Sequence, residues 1–250
     1  MTSIEEFNKC GEELERLLLL QTSPLAVKMI EKEADIPPEA VRPKKDRGYH
    51  LAQCQAFGLS RRNKETIAML AEDNWCPAPC VAYGFVKRPD DPEWRRREAY
   101  DCFDHGKYIG ILTAPLKTAT YGPDVVIIYA DTNQLRSLLL AMRPEERPAV
   151  GGHYFPPSCA YAVVTPMLTG EYRVVLPDPG EYARALTTAG EMMFAVPGDR
   201  LTGLVADYKK YDSESLFAHE SMMMRPDFPQ PDFYKMIFKS WGMHADEYKE

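Results

Sequence analysis

Val125-Val126-Ile127-Ile128-Tyr129 is the stretch that decides the fold. Its β-branched run makes it the most definite strand of the chain. Gly122-Pro123 before it supplies a turn. Asp131-Thr132-Asn133 after it supplies a helix cap, and Gln134 to Met142 continues that helix. A strand that runs straight into a helix points to a mixed α and β pattern.

The rest of the chain is read outward from that strand. Ile4, Phe7, Leu14, Leu17 and Leu18 recur at helical spacing, with Ser3 as the cap and Glu6 three residues on. After Pro24, Leu25 to Ile30 alternates poorly, as a doubly buried strand does. Residues 31–48 are polar and proline-bearing and read as a loop. His50 to Leu59 reads as a helix carrying Cys54, and Thr66 to Leu70 as a strand or buried apolar run. The Cys76–Cys80 turn leads into a short helix through Tyr83, ended by Gly84. Residues 87–105 are charged and read as surface, with a helix over 91–102. Gly151-Gly152 opens a loop into Pro156-Pro157-Ser158-Cys159, and a helix follows. Tyr172–Leu176 and Met192–Val196 read as strands, and Pro197-Gly198-Asp199 begins a helix through Tyr208.

Strands and helices do not alternate strictly, which argues against a doubly wound sheet. The pattern predicts an α+β (mixed α/β) fold, a single compact domain with a mixed β-sheet flanked by helices. That domain takes residues 1–221. The segment 222–250, rich in Met, Phe and Pro, reads as a tail that packs on the surface or on a second subunit, so a homo-oligomer is one expectation.

Composition narrows the function. The chain has 250 residues, 45% hydrophobic and 27% charged, which suits a globular protein with a real core. With 37 acidic against 30 basic residues the net charge is −7, the wrong sign for nonspecific nucleic-acid binding. Arg95-Arg96-Arg97 after Trp94 reads as a solvated helix face or as a hold on an anion or partner. The N-terminus lacks a basic start and apolar run, and Leu17–Leu20 and Val125–Ala130 are too short to span a bilayer. No membrane association is predicted. The expectation is a cytoplasmic protein with reduced thiols.

Reduced cysteines that recur in similar phrases point to metal or redox work. Cys54-Gln55-Ala56-Phe57-Gly58 and Cys80-Val81-Ala82-Tyr83-Gly84 share Cys-x-Ala-aromatic-Gly, and Cys159-Ala160-Tyr161-Ala162 is a looser third copy. Cys76 stands four residues before Cys80. Backbone N–H groups at helix starts are unpaired and stabilise thiolate charge. Zinc sites usually use two tight pairs of ligands, and only Cys76 and Cys80 are close. Dispersed single ligands suit an iron–sulfur cluster better. Three readings stand: a cluster; zinc, haem or thiol chemistry; and buried cysteines that simply pack. Cys10, near the apolar face of the first helix, reads as structural. Cys102 stands beside Asp101, Asp104 and His105, which admit either a metal role or a polar helix end. No P-loop, dinucleotide fingerprint, zincin or nucleophile-elbow motif is present.

One series of phrases carries a family resemblance. Cys54-Gln55-Ala56, Cys76-Pro77 leading to Ala82-Tyr83-Gly84-Phe85, Pro123-Asp124-Val125-Val126, Gly151-Gly152, Ser158-Cys159-Ala160 and Val175-Leu176-Pro177-Asp178-Pro179-Gly180 occur in this order. Over roughly residues 20–205 the chain resembles the bacterial and archaeal domain-of-unknown-function family 169. The resemblance implies three recurrent cysteines, matching Cys54, Cys76 and Cys159. Cys80 falls where the family does not usually have cysteine. Three thiolates on a four-iron, four-sulfur cluster leave one iron open to act as a Lewis acid. A fourth from Cys80 closes it and favours electron transfer.

His153, beside Gly151-Gly152 and six residues before Cys159, is the candidate acid–base group or non-cysteine ligand, against a plain hydrogen-bonded loop histidine. Tyr83, Tyr154 and Tyr161 read as pocket lining or core. Arg173 and Arg184 read as a carboxylate grip or as surface charge. Met192-Met193 and Met222-Met223-Met224 read as gap-filling residues rather than soft-metal ligands. The expectation is a cytoplasmic 4Fe–4S protein, a redox or cluster-dependent enzyme of anaerobic metabolism, with Cys54, Cys76, Cys159 and Cys80 as cofactor and metal ligands. Its partner is a small-molecule substrate or a redox partner protein. The alternatives are a non-enzymatic carrier of a cluster or tetrapyrrole, with zinc or haem as rival cofactors, and a metal-free protein.

Overall fold

The computed structural model describes residues 2–93, 100–142, 149–214 and 232–243. The chain divides into two units, Met1–Glu214 and Ser215–Glu250. The boundary expected after residue 221, the methionines at 222–224 and the arginines at 95–97 lie outside the described residues.

The first unit is built on one mixed sheet. Its strands are β1 (Leu25–Ile30), β2 (Ile67–Leu70), β3 (Gly110–Pro115), β4 (Val125–Ala130), β5 (Val150–His153), β6 (Tyr172–Val175) and β7 (Met192–Pro197). They lie in the order β2-β3-β1-β4-β7-β6-β5. Neighbours pair antiparallel except β5 and β6, which run parallel. The expected α+β class is what forms, and β4 sits mid-sheet with every residue buried.

Helices cover both faces. They are α1 (Ile4–Leu18), α2 (Pro43–Arg47), α3 (Gln53–Gly58), α4 (Pro77–Ala82), α5 (Thr132–Ala141), α6 (Ser158–Thr169), α7 (Pro179–Arg184) and α8 (Leu201–Glu214). Val126, Ile128 and Ala130 of β4 point to one side, where Leu14 of α1, Leu138 of α5 and Leu204 of α8 complete a core. Val125, Ile127 and Tyr129 point to the other, against Phe57 of α3, Ala82 of α4 and Val163 of α6. The period of two along the strand thus feeds two separate cores. The second unit contains α9 (Asp232–Ser240).

Local signals explain most starts and stops. Ser3 and Glu6 form the expected capping box on α1, and Asp131 caps α5 by accepting from the Gln134 N–H. Gly84 ends the α4 segment with φ +74°, and a Cβ there would collide with the Asp104 backbone.

Several expectations needed correction. The 31–48 loop contains α2, with Pro43 at its first position and Gly48 left-handed at its end. The helix expected from His50 begins at Gln53, because Leu51 is held in a bridge to Asn74. The Gly151-Gly152 loop is an edge strand, β5. Of the helix expected over 91–102, residues 94–99 lie outside the described residues, and Tyr100 to Cys102 are irregular. The cysteine phrases are not a structural repeat either. Cys54 and Cys159 are the second residues of their helices, whereas Cys80 is the fourth of α4.

Candidate functional site

Three cysteines far apart in sequence lie at the starts of three helices on one side of the sheet. Cys54 is the second residue of α3, Cys76 is the N-cap of α4, and Cys159 is the second residue of α6. The first two are brought side by side by a parallel bridge just before them. Leu51 N–H donates to the Asp73 carbonyl (2.9 Å), and Trp75 N–H donates to the Leu51 carbonyl (3.1 Å). Cys54 then shares a small apolar cluster with Ala52 and Ala185, and Cys76 packs against it.

Asp178 brings in the third. Its Oδ2 accepts from the Ser158 N–H (2.9 Å) and the Ser158 hydroxyl (3.0 Å) at the start of α6. Its Oδ1 accepts from the Gly180 N–H (2.7 Å) and the Glu181 N–H (3.3 Å) at the start of α7. One carboxylate therefore satisfies orphan donors on two helices. The Cys54 Sγ lies 3.7 Å from the Gly180 carbonyl, and the Tyr83 hydroxyl donates to the Cys159 carbonyl at 3.1 Å.

The thiols feel one another. Burial pushes the Cys159 thiol well above its ordinary range, and Cys54, Asp178, Cys76 and Glu181 push it further. Cys54 is pushed up to about 11 by burial and Glu181, while the Arg184 guanidinium opposes that shift. Burial raises Cys76, against the Ala78 N–H and Arg184, which favour its thiolate. Cys80 is pushed up to about 11 by burial and by Cys76. Left alone, these thiols stay protonated at neutral pH. A bound cation inverts that balance by taking thiolates as ligands.

The donor set suits a thiophilic centre: soft ligands at helix starts, with Cys54 and Cys159 buried and Cys76 half-buried. Beside Cys54, the Gln53 amide is fully buried and both its polar atoms lack partners, which is costly in a finished core. Among the described residues no three His, Cys, Asp or Glu side chains form a ready single-ion site.

The other candidates fall elsewhere. Cys10 belongs to the core on the opposite face of the sheet. Cys102 is half-buried beside Asp101 and Arg88. His153 stacks on Tyr161 (4.0 Å between ring centroids, 21°) rather than joining the thiols. Burial and then Arg173 lower its pKa, and its Nδ1 is buried without a partner. Arg173 pairs with Glu171 at 2.7 Å, and Tyr154 is exposed. Of the tyrosines considered, Tyr83 touches a candidate cysteine residue through a hydrogen bond.

The sequence reading missed a buried polar group beside Cys54. Glu181, fully buried, lies with both carboxyl oxygens 3.1 Å from the Tyr129 hydroxyl and accepts from the Thr187 hydroxyl at 2.9 Å. Burial pushes its pKa up to about 7. The Arg61 guanidinium, also fully buried, lies 3.8 Å over the Tyr129 ring and pairs with Glu191 at 2.6 Å. The cap signal Asp178-Pro179 was available for α7. Nothing local distinguishes Arg61 or Glu181 from surface charge.

A family model matches residues 13–207, and its description is DUF169, "Uncharacterised ArCR". The chain belongs to the DUF169 family. The match spans all seven strands and the three cysteine-bearing helices of this DUF169 chain. No curated protein and no solved structure matches it. No helix among the described residues is long and apolar enough to cross a membrane.

Proposed function

We propose that this DUF169 protein is a cytoplasmic iron–sulfur protein that holds a 4Fe–4S cluster on Cys54, Cys76 and Cys159, and that it works as a redox or cluster-dependent enzyme of anaerobic metabolism. The observation that carries the reading is the gathering of these thiols from three separate helix starts, with Asp178 fastening two of the segments involved. Dispersed single ligands suit a cluster better than zinc, whose structural sites usually use two tight pairs. Such a cluster supplies electron transfer and, at an iron without a cysteine, Lewis acidity.

The chain's own residues have separate tasks in this reading. Helix-start N–H groups, including that of Ala78, stabilise thiolate charge. Arg184 places a positive charge at Cys54 and Cys76. Glu181 holds a proton on its carboxyl until about pH 7, next to the thiols and out of contact with water. Cys80, the fourth residue of α4 and in electrostatic touch with Cys76, is the candidate fourth ligand that would close the cluster.

One observation favours a second reading. Raised thiol pKa values are also what packed, metal-free cysteines have. Cys54→Ala and Cys159→Ala separate the two. Under the cluster reading each loses the visible absorption of oxygen-free protein, and Cys10→Ala keeps it. Undiminished absorption in Cys54→Ala or Cys159→Ala removes the ligand assignment. A colourless, folded wild type favours the packed thiols.

A further inference from the structure

We propose that Arg184 and Trp75 form a carboxylate-binding subsite at the mouth of the thiol centre, so that the molecule handled there is a small monoanionic carboxylic acid. The inference rests on the proposed reading of the thiols as the reactive centre and names the substrate class for it.

Arg184 ends α7 on the protein surface. Its guanidinium lies 5.1 Å from the centroid of the Trp75 ring, which is 50% exposed. The same guanidinium interacts first with the Cys54 thiol as a hydrogen-bond partner, and is within electrostatic reach of Cys76 and Asp178. Among the described residues it forms no ion pair with a carboxylate, whereas Arg42, Arg47, Arg61 and Arg173 each have one. A guanidinium carries five N–H donors in a planar fork that matches a carboxylate edge. Here that fork faces the Cys54 thiol, its leading partner, and has no carboxylate paired with it among the described residues.

The subsite is fixed by the segments that carry the thiols. Trp75 directly precedes Cys76. Its Nε1 donates to the Gln55 Oε1 at 3.3 Å, and the same oxygen accepts from the Ala52 N–H at 2.9 Å. The indole is therefore tied to the start of α3, one residue after Cys54. Gly180 makes room on the other side, since a Cβ there would run into the Arg184 guanidinium. The platform, the cation and the two thiols form one unit.

Charge selects the ligand. The fork can take either anion, but Asp178 beside it opposes both, and a phosphate dianion more strongly than a carboxylate monoanion. A carboxylate monoanion takes the fork bidentately. A molecule held by a guanidinium this close to Cys54 needs to be only a few atoms long to meet the thiols.

Trp75 is its own reporter. The protein as purified without oxygen is titrated with acetate, mercaptoacetate and inorganic phosphate while tryptophan emission is followed, with Trp75→Phe marking the share of the signal due to Trp75. Both carboxylates should give a saturable change, weakened about tenfold or more in Arg184→Gln and partly restored in Arg184→Lys. Phosphate should bind more weakly than either. Equal carboxylate affinity in wild type and Arg184→Gln, no saturable change in wild type, or preference for phosphate overturns the subsite. Iron and sulfide are measured on separate oxygen-free preparations of the same variants. A wild type that binds carboxylate and lacks a cluster keeps the subsite and removes the cluster reading. A wild type with a cluster and no carboxylate binding does the reverse.

Discussion

Asp178 binds Ser158 twice, through the backbone N–H at 2.9 Å and the hydroxyl at 3.0 Å, and so fixes the residue directly before Cys159. Its other oxygen caps α7. Two helix caps worth about 1 kcal/mol each converge on one side chain. Asp178→Ala should therefore lower stability by about 2 kcal/mol, read as a shift in the urea midpoint at unchanged slope. A loss below about 0.5 kcal/mol, the range of an ordinary surface substitution, would show that the clamp does not hold the site together.

Glu181 gives a pH signature. Its folded pKa of about 7 stands above the ordinary value of 4.5, so the native state binds the proton more tightly than the unfolded chain. Its contribution is fully present below about pH 4.5 and is lost as pH rises through about 7. The total is on the order of 3 kcal/mol. Glu181→Gln, neutral at every pH, should gain on wild type across that window and hold a constant lead above it. Parallel stability profiles of the two proteins from pH 5 to 8 would contradict the buried, protonated carboxyl.

Arg61 and Glu191 form a buried pair whose worth lies in not being half broken. Arg61→Met leaves Glu191 with the Thr188 N–H at 2.7 Å and Arg62 at 3.7 Å but without its buried counter-ion, and should cost about 3–5 kcal/mol. The double variant Arg61→Met, Glu191→Gln should recover part of that loss, because the stranded charge is gone. Additive single effects in a denaturation cycle would remove the coupling.

Thiol reactivity should follow exposure and thiolate character. Cys76 and Cys102 are half-buried, whereas Cys54, Cys80 and Cys159 are buried with strongly raised pKa values. In metal-free native protein at pH 8, brief iodoacetamide pulses read by mass spectrometry should label Cys76 and Cys102 first and Cys159 last among these. Labelling of Cys159 as fast as Cys76 would mean that the α6 start is open to solvent.

Much of the fold was legible because its signals are local. The unbroken run in β4, the Ser3–Glu6 box on α1 and the Asp131 cap on α5 each specify an element within a few residues. β3 escaped notice, although it pairs with both β1 and β2, because Gly110 and Pro115 leave only Ile111 to Ala114 between them. β5 escaped because Gly151 and Gly152 read as a loop, and pairing with β6 makes them a strand. The three cysteines were legible as residues worth gathering. Their meeting was not, since it depends on the Leu51–Asn74 bridge and on Asp178. Arg61 and Glu181 were invisible because their burial is decided by elements distant in sequence, through Glu191 and Tyr129.

The central claim is the cluster, and its most direct test is iron, sulfide and zinc content, measured with the visible spectrum on protein purified without oxygen. The account predicts about four iron and about four sulfide per chain with a broad band at about 400 nm. It also predicts their loss in Cys54→Ala and Cys159→Ala and their retention in Cys10→Ala. Stoichiometric zinc, or a folded and colourless protein free of metal, would contradict it.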